Sequence, residues 1–539
     1  MKIARLAALI ALPLAAAAQA ADPPKLVVVI SVDQFSADLF TQYRQHFDGG
    51  LERLSRGAVF PAGYQSHAAT ETCPGHSTIL TGSRPARTGI IANNWYGFRA
   101  RPSHPNLYCA EDERVPGSTH RKYTASTYHL RVPALGDHMK RADPRSRVAV
   151  ASGKDRSAMM MGGYGPDERW WWEGDKFINP GAARRPEALD EVNRDIAAAL
   201  AEPRAARDLP GLCEPRSRSI AIQDSTKSVG EYRFARPAGD SNAFKISPDL
   251  DQATIDLAAG LRREMKLGEG PATDLLILGL SATDYVGHSY GTEGAEMCIQ
   301  LMALDKALGE FFRKLDQTGI DYSVLLTADH GGHDIPERYR EQAITDAIRA
   351  DAALDIEKMG PAIGKKLGLS GPILFGEYVS GDMYIDPKLT AAQRARVLRE
   401  AVRAYGAHPN VARVITRADL LAAPRPSGPP DTWSLLDRAK ASFDPERSGD
   451  FVVFLKPRVT PIYNAGGSYV ATHGSPWDYD RRVPILYWRK GIVPFEQPLA
   501  VETVDILPTL AATIGVAIPP GSIDGKCLDL DEGPANSCR

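Results

Sequence analysis

Five short apolar runs constrain the fold more than anything else in this chain. They are Leu26–Val32 (LVVVISV), Arg147–Ser152 (RVAVAS), Asp274–Ser281 (DLLILGLS), Tyr322–Ala328 (YSVLLTA) and Val483–Trp488 (VPILYW). Each is β-branched or leucine-rich. A strand wetted on one face would alternate apolar with polar residues; a near-continuous run suits a strand buried on both faces, as in a parallel sheet under helices. Helical stretches lie between the runs, among them Ala253–Lys266, Glu296–Gln317 and the tail segment Val501–Val516, stopped at Gly515. This alternation predicts an α/β fold with a mostly parallel central sheet flanked by helices.

The residues that follow the strands carry the chemistry. Asp33 follows the first run and Gly153-Lys154-Asp155-Arg156 the second. Ala282–His288 (ATDYVGH) follows the third, and Asp329-His330-Gly331-Gly332-His333 the fourth. Open α/β sheets bind ligands at the carboxyl ends of their strands, so four such endings predict one composite site. Three segments read as insertions into the core, at about 96–146, 160–250 and 335–460. The second contains Trp170–Trp172, a run that suits a packed surface edge or a pocket wall. The third holds a hairpin around Pro372–Asp386, a helix over Thr390–Gly406 and a proline-rich loop at Ala423–Asp431.

Lys2 and Arg5 precede an apolar stretch, Leu6–Ala18, that is too short to span a bilayer as a mature helix. Ala18-Gln19-Ala20 has the form of a cleavage site. Residues 1–20 are therefore read as a secretory signal cut after Ala20, leaving 21–539 as one α/β domain. The expected location is the periplasm or outside the cell, with no membrane contact after cleavage. Export permits disulfides. Cys527 and Cys538, close together in a Gly/Pro/Asn-rich tail, are expected to pair. Cys73, Cys109, Cys213 and Cys298 allow three pairings, and the sequence does not choose among them. There is no C-x-x-C spacing for a thiolate metal site. A net charge of −2 argues against nucleic acid as the main partner.

The strand ends supply three carboxylates, Asp33, Asp284 and Asp329, and two of three imidazoles, His288 and His330; the third, His473, sits in ATHGS. Asp284 and His288 are four apart, on one face of a helical turn. Mixed oxygen and nitrogen donors suit zinc, where an all-oxygen set would suit magnesium or calcium. Two such sites about 4 Å apart are what in-line phosphoryl displacement uses. The stretch Thr70–Gly82 (TETCPGHSTILTG) reads either as an ordinary helix start, capped by Thr72 with Pro74 in the first turn, or as the seat of a nucleophile.

In combination and in order, the motifs SVDQ, TETCPGHSTILTG, NNW, GKDR, SATDYVGHSYG, TADHGG and THGS resemble the alkaline phosphatase superfamily, and within it the threonine-nucleophile, PafA-like phosphomonoesterase branch. The likeness runs from about Leu26 to Gly525. It implies an exported phosphatase with two zinc ions, one held by Asp284, His288 and His473, the other by Asp33, Asp329 and His330. Thr72 would bind the second as nucleophile and form a covalent phospho-threonine. Asn93, or Asn94 by one register, would give a hydrogen bond to a phosphate oxygen. Lys154 and Arg156 would face the non-bridging oxygens, and Cys73 would not be a ligand. Zinc makes a threonine hydroxyl alkoxide-like, and a helix start adds N–H donors and a positive dipole end. Thr72 would then be helix cap and nucleophile together, with Thr70 and Ser77 the alternatives. The implied substrates are small phosphate monoesters. The nearest rival is a nucleotide pyrophosphatase/phosphodiesterase, which shares the metals and the threonine; the GKDR cations favour a monoester, which has one more charged oxygen. A sulfatase would need C/S-x-P-x-R, which CPGHS lacks. A non-catalytic zinc- or phosphate-binding protein is the alternative from another class.

Overall fold

The computed structural model describes residues 22–377, 379–467, 469–533 and 536–538, so the expected signal at 1–20 lies outside the described residues. The apolar runs form the middle of a ten-stranded sheet. Its longer strands are β1 (Leu26–Val32), β2 (Ala58–Tyr64), β3 (Val148–Ser152), β4 (Glu168–Glu173), β5 (Lys176–Ile178), β6 (Asp274–Leu280), β7 (Tyr322–Thr327) and β8 (Arg482–Arg489). Their spatial order is β2, β8, β7, β1, β6, β3, β4, β5, with the two-residue strands Phe495–Glu496 and Val501–Glu502 on β2. The five strands from β7 to β4 are parallel. The run at Val483–Trp488, within β8, lies antiparallel to both neighbours. Continuous apolarity reports burial on two faces; it does not report direction.

β1 shows that burial directly. All seven of its residues are buried. Val28, Ile30 and Val32 pack into one core, and Val27 and Val29 into the other. Fully burying a large aliphatic side chain is worth roughly 1.5–3 kcal/mol, so both faces of the strand favour a cover of helices. Those nearest the site are α1 (Thr72–Ile79), α2 (Asp155–Gly162), α3 (Pro248–Met265), α4 (Ala282–Tyr290) and α5 (Ala295–Asp316). α3 starts as its sequence requires: Ser247 accepts from the Asp249 N–H, and Pro248 takes the first helical position.

Register then sets the site. Leu26 lies opposite both Asp274 and Tyr322, Val32 opposite Leu280, Ser31 opposite Thr327 and Gly279 opposite Ser152. Four parallel strands in this register end level, so the residues after them emerge along one edge.

Trp170–Trp172 lie in β4. Trp170 and Trp172 face one core and Trp171 the other, all buried. Away from the main sheet, Leu374–Gly376, Gly381–Ile385, Phe451–Leu455 and Val411–Thr416 form, in that spatial order, an antiparallel four-stranded sheet. The helix Ala391–Gly406, opened by a capping box of Thr390 and Gln393, adds Val397, Ala401 and Tyr405 to its core. Disulfides join Cys73 to Cys109, Cys213 to Cys298 and Cys527 to Cys538. Among the described residues, no helix is long and apolar enough to cross a membrane.

Candidate active site

Asp33 leaves β1 with its N–H bonded to the Leu280 carbonyl at 2.9 Å. The next residue, Gln34, takes φ = 66°, in the left-handed region that non-glycine residues avoid. Its N–H reaches Asp329 Oδ1 at 3.2 Å, and the His330 N–H donates to the same oxygen at 3.0 Å. Asp329 Oδ2 is thereby left facing the site. On α4, Asp284 sits in the first turn, and the Ala282 N–H at the helix start donates to Asp251 Oδ1 at 2.9 Å.

Two ligand groups result. Asp284, His330 and His473 have ligand atoms within 4.8 Å of one another, and so do Asp33, Asp329 and His330. His330 is thus shared. His288 stands beside the first group, its Nε2 3.3 Å from Asp284 Oδ1. Nδ1 of His288, His330 and His473 lies 2.8 Å from the Ala471 carbonyl, 2.9 Å from that of Gly331 and 2.8 Å from that of Thr70, respectively. A carbonyl can only accept, so each Nδ1 carries the proton and each Nε2 offers a lone pair. Asp33 Oδ1, Asp284 Oδ1, Asp329 Oδ2 and His330 Nε2 are buried without a hydrogen-bond partner. A buried polar atom without a partner is costly. The unpartnered oxygens and nitrogen, with imidazoles fixed for coordination, fit bound metal cations.

The electrostatics follow from the crowding. Burial raises the Asp33 carboxyl well above its usual range, and the Asp329 charge adds to this against the pull of Lys154. Burial works the same way on Asp284, but His288 and Lys154 outweigh it and hold that carboxyl well below the usual range. Burial lowers His330 to about 3, which favours its neutral, ligating form.

α1 places Thr72 against this edge. Thr72 is its first helical residue; Glu71 holds the cap position, and no side chain caps the helix. The expected Thr72 cap is therefore corrected: its hydroxyl makes no cap bond and lies 3.4 Å from an Arg156 guanidinium nitrogen. The helix start is also poorer in donors than expected. The Cys73 N–H goes to Asn93 Oδ1 at 2.8 Å, Pro74 has none, and the Gly75 N–H closes the first helical turn on Glu71. The N–H of Thr72 and the dipole are what remain for an anion.

Asn93 is fixed on both sides. Its N–H donates to Glu71 Oε2 at 2.7 Å, and its Oδ1 is taken by Cys73, which leaves its amide NH2 as a donor. Asn94 instead pairs with Glu377. The expected Lys154–Arg156 pair divides. Arg156 stands beside Thr72, whereas the buried Lys154 ammonium lies 2.6 Å from both Asp33 Oδ2 and Asp284 Oδ2, bridging the two ligand groups. Two buried carboxylates hold the ammonium between them, while Tyr108 and Tyr123 hold Asp155, next to Arg156, through bonds of 2.9 Å to its two oxygens. Thr70 donates to the Ser475 carbonyl at 2.7 Å and Ser77 to that of Pro74 at 2.8 Å, so both hydroxyls are engaged by backbone, whereas that of Thr72 meets Arg156.

Sequence reading passed over His76. Its Nδ1 lies 2.9 Å from the Thr72 carbonyl and 3.1 Å from Asp329 Oδ2, tying the helix start to a ligand carboxylate. Its place four residues after Thr72, on the same helix face, was the available signal.

The chain matches the family model described as type I phosphodiesterase / nucleotide pyrophosphatase over residues 27–476. It is 56% identical over 524 residues to the alkaline phosphatase PhoK of a Sphingomonas species, covering 96% of this chain and 93% of the relative. It is 46% identical over 518 residues to the alkaline phosphatase PhoD of Zymomonas mobilis, covering 95% of this chain and 89% of that one. Among solved structures, that of the alkaline phosphatase PafA superposes with a TM-score of 0.81 at 23% identity, over 95% of this chain and 99% of the other.

Proposed function

The chain belongs to the type I phosphodiesterase / nucleotide pyrophosphatase family of the alkaline phosphatase superfamily, and we propose that it is an exported di-zinc alkaline phosphatase that cleaves small phosphate monoesters through a phospho-threonine at Thr72. The observation that carries this is the Thr72 hydroxyl at a helix start, beside Arg156, on a helix whose His76 reaches Asp329 in one of two groups of carboxylate and imidazole donors. That relatives spanning nearly the whole chain are alkaline phosphatases supports the reaction class.

Asp284, His288 and His473 would hold one cation, and Asp33, Asp329 and His330 the other, with Thr72 beside the latter. Bound there, two zinc ions would supply Lewis-acid charge at the attacking and leaving oxygens. The chain's own groups do the rest. Thr72 Oγ1 attacks phosphorus and the ester oxygen departs on the opposite side; water then cleaves the phospho-threonine. Arg156, the Asn93 amide and the Thr72 N–H meet the non-bridging oxygens, and Lys154 brings a second positive charge level with them. His76 fixes the helix start relative to Asp329. Neutral His330 stays a ligand across the working pH range.

Kinetics on p-nitrophenyl phosphate and bis-p-nitrophenyl phosphate test the reading. The monoester is expected to be the better substrate, and Thr72→Ala should cut its turnover by roughly 10³-fold or more with zinc content kept. A wild-type preference for the diester would move the protein to the phosphodiesterase reading. Near-normal turnover in Thr72→Ala would place the nucleophile elsewhere.

A further inference from the structure

The segment between β5 and α3 brings a third cation to the strand ends. Lys245 closes a short helix, Ser241–Lys245, and is half-buried. Its ammonium lies 4.9 Å from the centre of the Tyr285 ring, and the Lys154 ammonium lies at the same distance from the same ring. The two charges are therefore no farther apart than twice that length. Tyr285 directly follows the ligand Asp284 on α4. Among the described residues, no carboxylate is within ion-pair distance of Lys245, whereas Lys154 is bridged by two. Burial, then the charges of Lys154 and Arg156, lower the Lys245 pKa, so the three cations sense one another.

This position is built. Asp240 Oδ1 accepts from the Ala243 N–H at 2.8 Å and caps the short helix. Phe244 stacks on Trp172 of β4, with ring centres 5.3 Å apart and planes 7° from parallel. The Arg236 guanidinium covers the same phenylalanine ring at 5.4 Å. The tryptophan strand thus anchors the helix that presents Lys245. A cation held near two like charges with only an aromatic face for company is poised for an anion.

The side it serves follows from the proposed roles: with Thr72 beside the cation of Asp33, Asp329 and His330, an in-line leaving group departs toward the other cation, which Asp284 would help to hold, and Lys245 stands at the ring of the next residue, Tyr285. We propose that Lys245 is a specificity-determining residue that recognises a second negative charge, such as a carboxylate, on the alcohol part of the phosphate monoester. This rests on the phosphatase reading above.

The test compares 4-carboxyphenyl phosphate with phenyl phosphate on the zinc-loaded wild type, Lys245→Gln and Lys245→Arg. Intrinsic reactivity cancels when the kcat/KM ratio of the two substrates is compared between proteins. Lys245→Gln should lower that ratio about 10-fold, the scale of one partly screened charge-assisted contact, and Lys245→Arg should keep most of it. High salt should erode the wild-type ratio. The inhibition constants of 4-carboxybenzylphosphonate and benzylphosphonate should shift in parallel, as a binding readout free of turnover. An unchanged ratio, or equal losses on both substrates, would overturn the proposal, because Lys245 would then only support Tyr285 and Lys154. If the wild type hydrolyses neither ester, the phosphatase reading has failed, and the phosphonate pair still decides whether Lys245 senses the second charge.

Discussion

Arg156 and Lys154 stand two residues apart and do different work. Arg156 has no metal-ligand carboxylate as an ion-pair partner and sits at Thr72, whereas Lys154 bridges Asp33 and Asp284. Arg156→Ala should therefore remove a contact to the extra monoester charge, costing roughly 10- to 100-fold in monoester kcat/KM and clearly less on a diester. Lys154→Ala should slow both substrates, because it also disturbs the ligand carboxylates. Steady-state kinetics of the two single variants on both esters separate these outcomes; identical profiles would refute the division of roles. Glu377 gives a residue-level prediction about pH. Burial, then the charge of Glu71, raise its carboxyl to about 7. A carboxyl whose pKa is higher folded than unfolded contributes stability that is complete below its unfolded pKa and lost as pH rises through 7. Glu377→Gln keeps the neutral form at every pH, so its melting temperature should gain on the wild type by roughly 1–3 °C between pH 5 and 8. A gap that stays constant with pH would show that Glu377 does not titrate as stated. Asp33 and Asp329 were legible in the sequence because they directly follow buried strands. Lys245 and Tyr285 were not, because their meeting depends on a short helix anchored on Trp172, about 70 residues away along the chain from that helix's lysine.

At the scale of elements, the run lengths gave the strands almost to the residue, since a two-faced buried strand has a composition of its own. Strand direction in β8 was not legible, because an antiparallel strand between buried neighbours has the same composition. Nor was the pairing of Cys73 with Cys109, which joins α1 to the segment after Asn93 and depends on how the two approach. The docking of α1 on the end of β7 leads to a sharp test. A Cβ added at Gly75 would lie 2.0 Å from the Asp329 carbonyl oxygen, a backbone atom with little room to move. Gly75→Ala must push α1 off the sheet edge and carry Thr72 away from the ligand groups. A displacement near 1 Å costs about 10²-fold in rate, so kcat should fall by that order while the far-ultraviolet circular dichroism stays that of the wild type. Normal turnover in Gly75→Ala would mean that the helix need not touch the strand end.

At the scale of the molecule, the site is a concentration of charge that the fold holds in place. Three carboxylates and three imidazoles converge where β1, β6 and β7 end level, and Asp33 Oδ1, Asp284 Oδ1 and Asp329 Oδ2 stay buried without hydrogen bonds. Lys154 bridges two of these carboxylates, and the oxygens still without partners are left for bound cations to satisfy. Cations that bind only the folded state stabilise it by mass action: at free zinc about 1,000 times the dissociation constant, each site contributes about 4 kcal/mol. In a chain this long each kcal/mol moves the melting temperature by less than in a small domain, so emptying both sites should lower it by roughly 10 °C. Calorimetry before and after chelation, with zinc added back, measures this alongside activity on p-nitrophenyl phosphate. On the di-zinc reading the same six side chains serve folding and catalysis, so the melting temperature and the activity should return together as zinc is restored, with about two ions bound per chain at full recovery. Full activity in metal-stripped protein would rule out the di-zinc reading. Recovered activity without any recovered stability would show that the buried carboxylates are already neutralised by the chain's own cations, and that the zinc adds chemistry to a site the fold had balanced alone.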